Sequence, residues 1–216
     1  MTATHILFEK QVEYFKDKYN VIVWDAPGHG VSRTFELKFS LEDKAKYLHG
    51  ILEVEKVEKM ILIGQSMGGY VSQMFMDMYQ GEIGGFISVD SCSLKRSTVT
   101  WFDIFAAKHV EIIYKMYNWE KLIKVGAKGC AESEYGRNLM EKMMRMYDKE
   151  WYVKLVGHGF KILAVGADLK IGVTGGIEVN HHYQISDPDI YAVGDAIEVT
   201  HFITNKNTRL ILAGTA

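Results

Sequence analysis

The chain has 216 residues, 48% of them hydrophobic, enough to bury a sizeable core in one domain or two small ones. A formal net charge of −2, with no Lys/Arg block, gives no electrostatic case for nucleic acid as a partner. No apolar stretch reaches the ~18 residues needed to span a bilayer, and the first residues lack the basic and apolar regions of a signal peptide, so the expected location is cytoplasmic.

In chain order, the first predicted element is a strand over Tyr19-Asn20-Val21-Ile22-Val23-Trp24, followed by the turn Asp25-Ala26-Pro27-Gly28-His29-Gly30-Val31-Ser32. Next comes Ser40-Leu41-Glu42-Asp43, a capping box opening a helix with apolar residues at Leu41, Ala45, Leu48, Ile51 and Leu52. A second strand, Met60-Ile61-Leu62-Ile63, then breaks into Gly64-Gln65-Ser66-Met67-Gly68. Val71, Met74, Phe75 and Met78 follow at helical spacing. Gly-x-Ser-x-Gly is a common turn composition, but between an apolar strand and an amphipathic helix it predicts a sharp turn with a strained, exposed serine. The residues two before and two after that serine must then lack a bulky side chain, which Gly64 and Gly68 satisfy. Ser66 is the candidate nucleophile and Gln65 beside it a candidate substrate contact. The Met67 N–H, at the start of the helix, is the candidate oxyanion donor. Strand, turn, helix, strand, turn, helix is the order of a mostly parallel α/β sheet with helices on both faces.

Residues 4 to 163 resemble the α/β-hydrolases of the esterase and lysophospholipase kind, through the Gly-x-Ser-x-Gly turn and the Asp-x-Pro-Gly-His-Gly-x-Ser segment beginning at Asp25. The resemblance implies a Ser, acid, His triad in that chain order, and a small-molecule ester or thioester as substrate. It also marks two departures. The His-Gly loop that donates a second oxyanion N–H in the family has no counterpart here, since Thr2-Ala3-Thr4-His5 is similar to the residues just after it. The family's late acid and histidine strands would follow residue 163, where the sequence changes character.

Serine catalysis needs a base and an acid to orient it. The chain order favours the late histidines, with His201 first and His181 or His182 as alternatives. His29 belongs to the post-strand turn, His49 and His109 sit in helical patterns, and His158 precedes any acid strand. Asp168 follows the strand-like Ile162-Leu163-Ala164-Val165-Gly166-Ala167 and is the preferred acid. Asp90, at the end of the strand Gly85-Phe86-Ile87-Ser88-Val89, is the second, because carboxylates at strand C-termini line the ligand crevice of a parallel sheet. Cys92 and Cys130 show no metal or redox spacing and are expected to be reduced and structural.

The stretch from about 97 to 160 predicts amphipathic helices rich in Met and aromatic residues, a packing or lid region. Residues 167 to 216 are Gly-, Val-, Ile- and Thr-rich, with predicted short strands at Lys170–Val173, Ile190–Val193, Ile197–Ile203 and Arg209–Leu212. Through Leu169–Asn180 and Ser186-Asp187-Pro188-Asp189-Ile190-Tyr191-Ala192-Val193-Gly194-Asp195-Ala196, this tail resembles the FAD-dependent pyridine nucleotide-disulfide oxidoreductases, of the coenzyme A-disulfide reductase or NADH oxidase branch. The resemblance implies a flavin contact at Asp195. No Gly-x-Gly-x-x-Gly turn follows a strand to hold the ADP half, so no cofactor is expected. The chain thus reads as a chimera of a 1–165 hydrolase-like core and a 166–216 tail whose strands complete the core's sheet edges. Pairing of those strands between chains would instead give a homodimer. Three functions stay open: a weak serine esterase, a scaffold that kept the turn but lost its triad, or a flavin or nucleotide binder built on the tail.

Overall fold

The computed structural model describes residues 2–33, 36–91, 101–162, 177–178, 190–193, 197–200 and 207–209, with backbone alone at 101–108 and from 161 onward. Its contacts divide the chain into two units, one of residues 1–38 with 102–161 and one of residues 39–101 with 162–216.

The second unit carries the sheet. Helix α2 (Leu41–Val54) starts at Ser40, whose hydroxyl accepts from the Asp43 N–H while the Asp43 carboxylate accepts from the Ser40 N–H, the capping box expected from sequence. Leu41, Ala45, Leu48 and Leu52 are its buried stripe. Strand β1 (Met60–Gln65) leads into α3 (Met67–Met78), where Val71, Met74 and Phe75 are buried, and then β2 (Ile83–Val89) runs parallel to β1. Strand β4 (Ile190–Val193) pairs parallel with β2, so a tail strand extends this sheet in the order β1-β2-β4. Strands β3 (Ile177–Glu178), β5 (Ile197–Thr200) and β6 (Asn207–Arg209) form a separate small sheet. The predicted strand at Lys170–Val173 lies outside the described residues.

Lys44 is the exception to the apolar stripe of α2: it is only 1% exposed, and burial pushes its amine down to about 8. An amine whose folded value lies below its unfolded one costs stability in full below about pH 8, and the cost fades as pH rises toward 10.5. Lys44→Met is therefore expected to stabilise the protein at pH 7 by on the order of 2 kcal/mol. Urea unfolding at pH 7 and again near pH 10 checks this, because the advantage should shrink at the higher pH.

The first unit is helical among the described residues: α1 (Glu9–Phe15), α4 (Trp101–Met116), α5 (Trp119–Cys130), α6 (Glu134–Met144) and α7 (Lys149–Ile162). Val110, Leu122, Ile123, Met144, Tyr147, Tyr152, Val153, Leu155 and Val156 form its core, so much of the Met and aromatic content packs inward as expected. Met116 and Tyr117 are exposed instead. Cys130 is a free thiol, as expected, but exposed rather than buried, and Cys92 lies outside the described residues.

The predicted strand at Tyr19–Trp24 is not formed. Residues 20–26 belong to no regular element, and Val21, Ile22 and Val23 are each about two-fifths exposed. A strand exists only through its ladder partner, and among the described residues none pairs with this segment.

The turn after it is tightly built. Asp25, its side chain fully inaccessible, accepts from the His5 N–H (2.6 Å), the His5 ring at Nδ1 (2.9 Å) and the Val31 N–H (3.0 Å). Gly30 has φ +46°, and a Cβ there would strike the Asp25 carboxylate. The Gly30 N–H donates to the Tyr147 hydroxyl (2.8 Å), which burial pushes up to about 12, and the Trp151 indole N–H donates to the Gly28 carbonyl (3.0 Å). Burial alone would raise the Asp25 carboxyl, but the donors from Val31 and His5 outweigh it and hold the group below its ordinary value. A carboxyl lowered in the folded state stabilises fully above its unfolded value near 3.8, and that stability is lost as pH falls through the folded value. Urea midpoints of the wild-type protein should fall on acidification through this range, and those of Asp25→Asn should fall less steeply.

Candidate active site

Ser66 stands between the last residue of β1 and the first of α3, with φ 50° and ψ −116°. This backbone region is sparsely populated for a residue with a side chain and costs roughly 1–3 kcal/mol, so its surroundings must hold it there. They hold it at both ends. The Ser66 N–H donates to the Val89 carbonyl at 2.9 Å, and the Ser66 carbonyl accepts from the Gly69 N–H at 3.0 Å and from the Ser91 hydroxyl at 2.7 Å.

The glycines do the rest. A Cβ on Gly64 would lie 2.6 Å from the Gly69 Cα and N, so β1 and α3 touch backbone to backbone at this point. A Cβ on Gly69 would lie 2.0 Å from the Ser91 Oγ. Gly68 is exposed and has open space around it, so the second glycine the turn requires for packing is Gly69 rather than Gly68.

The register pairs Gln65 with Val89 and Val89 with Val193, so the three parallel strands end level. Ser66 and Asp90 therefore leave adjacent strands at the same, C-terminal end of the sheet. Asp90 is exposed and, like Ser66, has a positive φ of 50°. Gln65 is half-buried and Met67 buried. Asp168, Asp195, His181, His182 and His201 lie outside the described residues. In the unit that carries Ser66, the one described histidine is His49. Its ring stacks on Tyr79 with centroids 4.1 Å apart, and its Nε2 lies 2.9 Å from the Glu82 carboxylate, a tie from α2 to the segment before β2. Sequence reasoning missed Ser91; the doubled Gly68-Gly69, which signals a close neighbour, was the available clue.

A strained serine between a parallel strand and the helix packed against it is the architecture of an α/β hydrolase. The chain belongs to that family: residues 1–165 match the family model described as alpha/beta hydrolase fold. It is 40% identical over 68 residues to the uncharacterized hydrolase YugF of Bacillus subtilis, covering 30% of this chain and 24% of that protein. It is also 38% identical over 102 residues to an NADH oxidase of Methanocaldococcus jannaschii, covering 45% of this chain and 22% of that one. Among solved structures, a thermophilic esterase from Thermogutta terrifontis shares the fold with a TM-score of 0.63 at 22% identity, over 76% of this chain and 61% of the esterase. The chain thus spans about a quarter of the length of these curated relatives (24% and 22%).

Proposed function

We propose that the protein is a serine hydrolase of carboxylic esters or thioesters, with Ser66 as nucleophile and the Met67 N–H as oxyanion donor. The observation that carries this reading is the Ser66 backbone, held at φ 50° between β1 and α3 by hydrogen bonds at both of its ends. A conformation costing stability persists where its surroundings enforce it, and such strain concentrates at functional sites. His201 is the proposed base, with His181 or His182 in its place as the alternatives, and Asp168 or Asp90 the proposed acid. Gln65 is the proposed substrate contact.

The domain reading goes with it: a 1–165 core completed by a 166–216 tail, supported by the parallel pairing of β4 with β2. A flavin-binding tail using Asp195 is the second reading, favoured by the match to an NADH oxidase. Flavin absorbance in the purified protein would support it.

Reaction with a fluorophosphonate probe, read by mass spectrometry, tests the main proposal. Labelling is expected at Ser66. A folded sample that takes no label would leave a scaffold that kept the turn without a working base.

A further inference from the structure

We propose that Ser91 is a positioning residue for the oxyanion donor, acting through the Ser66–Met67 peptide; this rests on the reading of Ser66 as nucleophile. That peptide unit is planar, with the Ser66 carbonyl on one side and the Met67 N–H on the other. Whatever fixes the direction of the carbonyl also fixes the direction of the N–H.

The Ser91 hydroxyl is placed to do this. Ser91 is fully buried just beyond the end of β2, and its Oγ lies 2.7 Å from the Ser66 carbonyl and 3.2 Å from the Val89 carbonyl. A hydroxyl has a single proton to donate, and the shorter distance assigns it to Ser66. Its approach is possible because Gly69 has no side chain, since a Cβ there would overlap Ser91 Oγ. The Val89 carbonyl takes the Ser66 N–H, so the two residues flanking Asp90 clamp Ser66 from both sides. The Gly69 N–H also reaches the Ser66 carbonyl, at 3.0 Å, but it belongs to the same turn and moves with it. Ser91 is the contact that ties the peptide to the sheet. A donor on the carbonyl also polarises the amide, which makes the Met67 N–H a better donor to a developing negative charge.

The test is Ser91→Ala in the full chain, with 4-nitrophenyl butyrate as substrate and a short-chain trifluoromethyl ketone as inhibitor. The Ser66 hydroxyl adds to the ketone carbon as the C=O π bond opens and its proton passes to the proposed base, giving a tetrahedral adduct whose former carbonyl oxygen bears the charge. A roughly 5- to 30-fold fall in kcat is expected at unchanged KM, with ketone affinity weakened by the same factor. The Met67 amide proton and nitrogen resonances should shift in the free protein. If Ser91→Ala does not fold, Ser91→Cys, close in shape but a weak donor, is read in its place. A folded variant with kcat, ketone affinity and the Met67 amide all unchanged overturns the proposal, as does a loss carried by KM alone. If the wild-type protein neither turns over ester nor takes label, the hydrolase reading fails instead. The Met67 amide then decides on its own: shifted, it supports the clamp; unmoved, it overturns it.

Discussion

Ser66→Ala is expected to abolish fluorophosphonate labelling and to lower kcat/KM for 4-nitrophenyl butyrate by roughly 10³-fold or more, limited by the background rate. The change removes the hydroxyl and nothing else. Alanine and serine both carry a Cβ, so the cost of φ 50° is the same for each and the fold should be retained. Any residual acceleration would come from binding and from the proposed oxyanion donor, the Met67 N–H, which survive the substitution. Ser66→Gly separates the two roles of this position. It removes the proposed nucleophile and also the strain, so it should be as inactive as the alanine variant yet more stable by about 1 kcal/mol. Equal turnover by wild type and Ser66→Ala would end the case for Ser66 as nucleophile.

Gly64→Ala should have the largest effect on stability. Its new methyl would sit 2.6 Å from the Gly69 Cα and N and 2.7 Å from the Gly68 carbonyl carbon. These are backbone atoms of α3, so no side chain can rotate away. Relief requires the helix to part from β1, which breaks the packing that buries Val71, Met74 and Phe75. A loss of about 3 kcal/mol or more is expected, at the upper end of what overpacking costs. Gly68→Ala is the matched control, with nothing within 4 Å of the added carbon and a helical site that favours alanine. It should be neutral or gain up to about 1 kcal/mol. Urea midpoints for the pair measure both, and a Gly64→Ala variant as stable as Gly68→Ala would mean that strand and helix are not in contact there.

The parts of the fold legible from sequence are those whose causes are local. The capping box at Ser40 and Asp43 needs four consecutive residues, and the serine turn needs a strand, two glycines and a helix in a row. Both were found where the residues placed them. The strand at Ile190–Val193 was also legible from its apolar run, though its parallel pairing with β2 was not, because pairing is decided by residues far away. Val21-Ile22-Val23 shows the opposite failure: strand propensity was read correctly, but propensity without a partner makes no ladder. Lys44 broke the pattern of a buried helical stripe, and no local signal announces a buried amine. Ser91 was missed for a related reason. Its significance lies in the 2.7 Å approach to a carbonyl 25 positions earlier, which spacing along the chain does not encode. Of the proposed site, Ser66 and Met67 at the strand-to-helix turn and Asp90 at a strand end were legible in the sequence, while Asp168 and His201 lie outside the described residues.

The junction of β2 with β4 has a kinetic consequence. Phe86 pairs with Ile190, so roughly a hundred residues must be synthesised and a loop of that length closed before β2 acquires its second neighbour. At about 5–20 residues per second, the ribosome leaves β2 with an uncovered edge for several seconds after the serine turn has emerged. During that interval the edge is open to strands of other nascent chains. Yield of native protein should therefore depend on how fast the roughly hundred residues between β2 and β4 are delivered, and slowing their translation should send more of the chain to chaperones or aggregates.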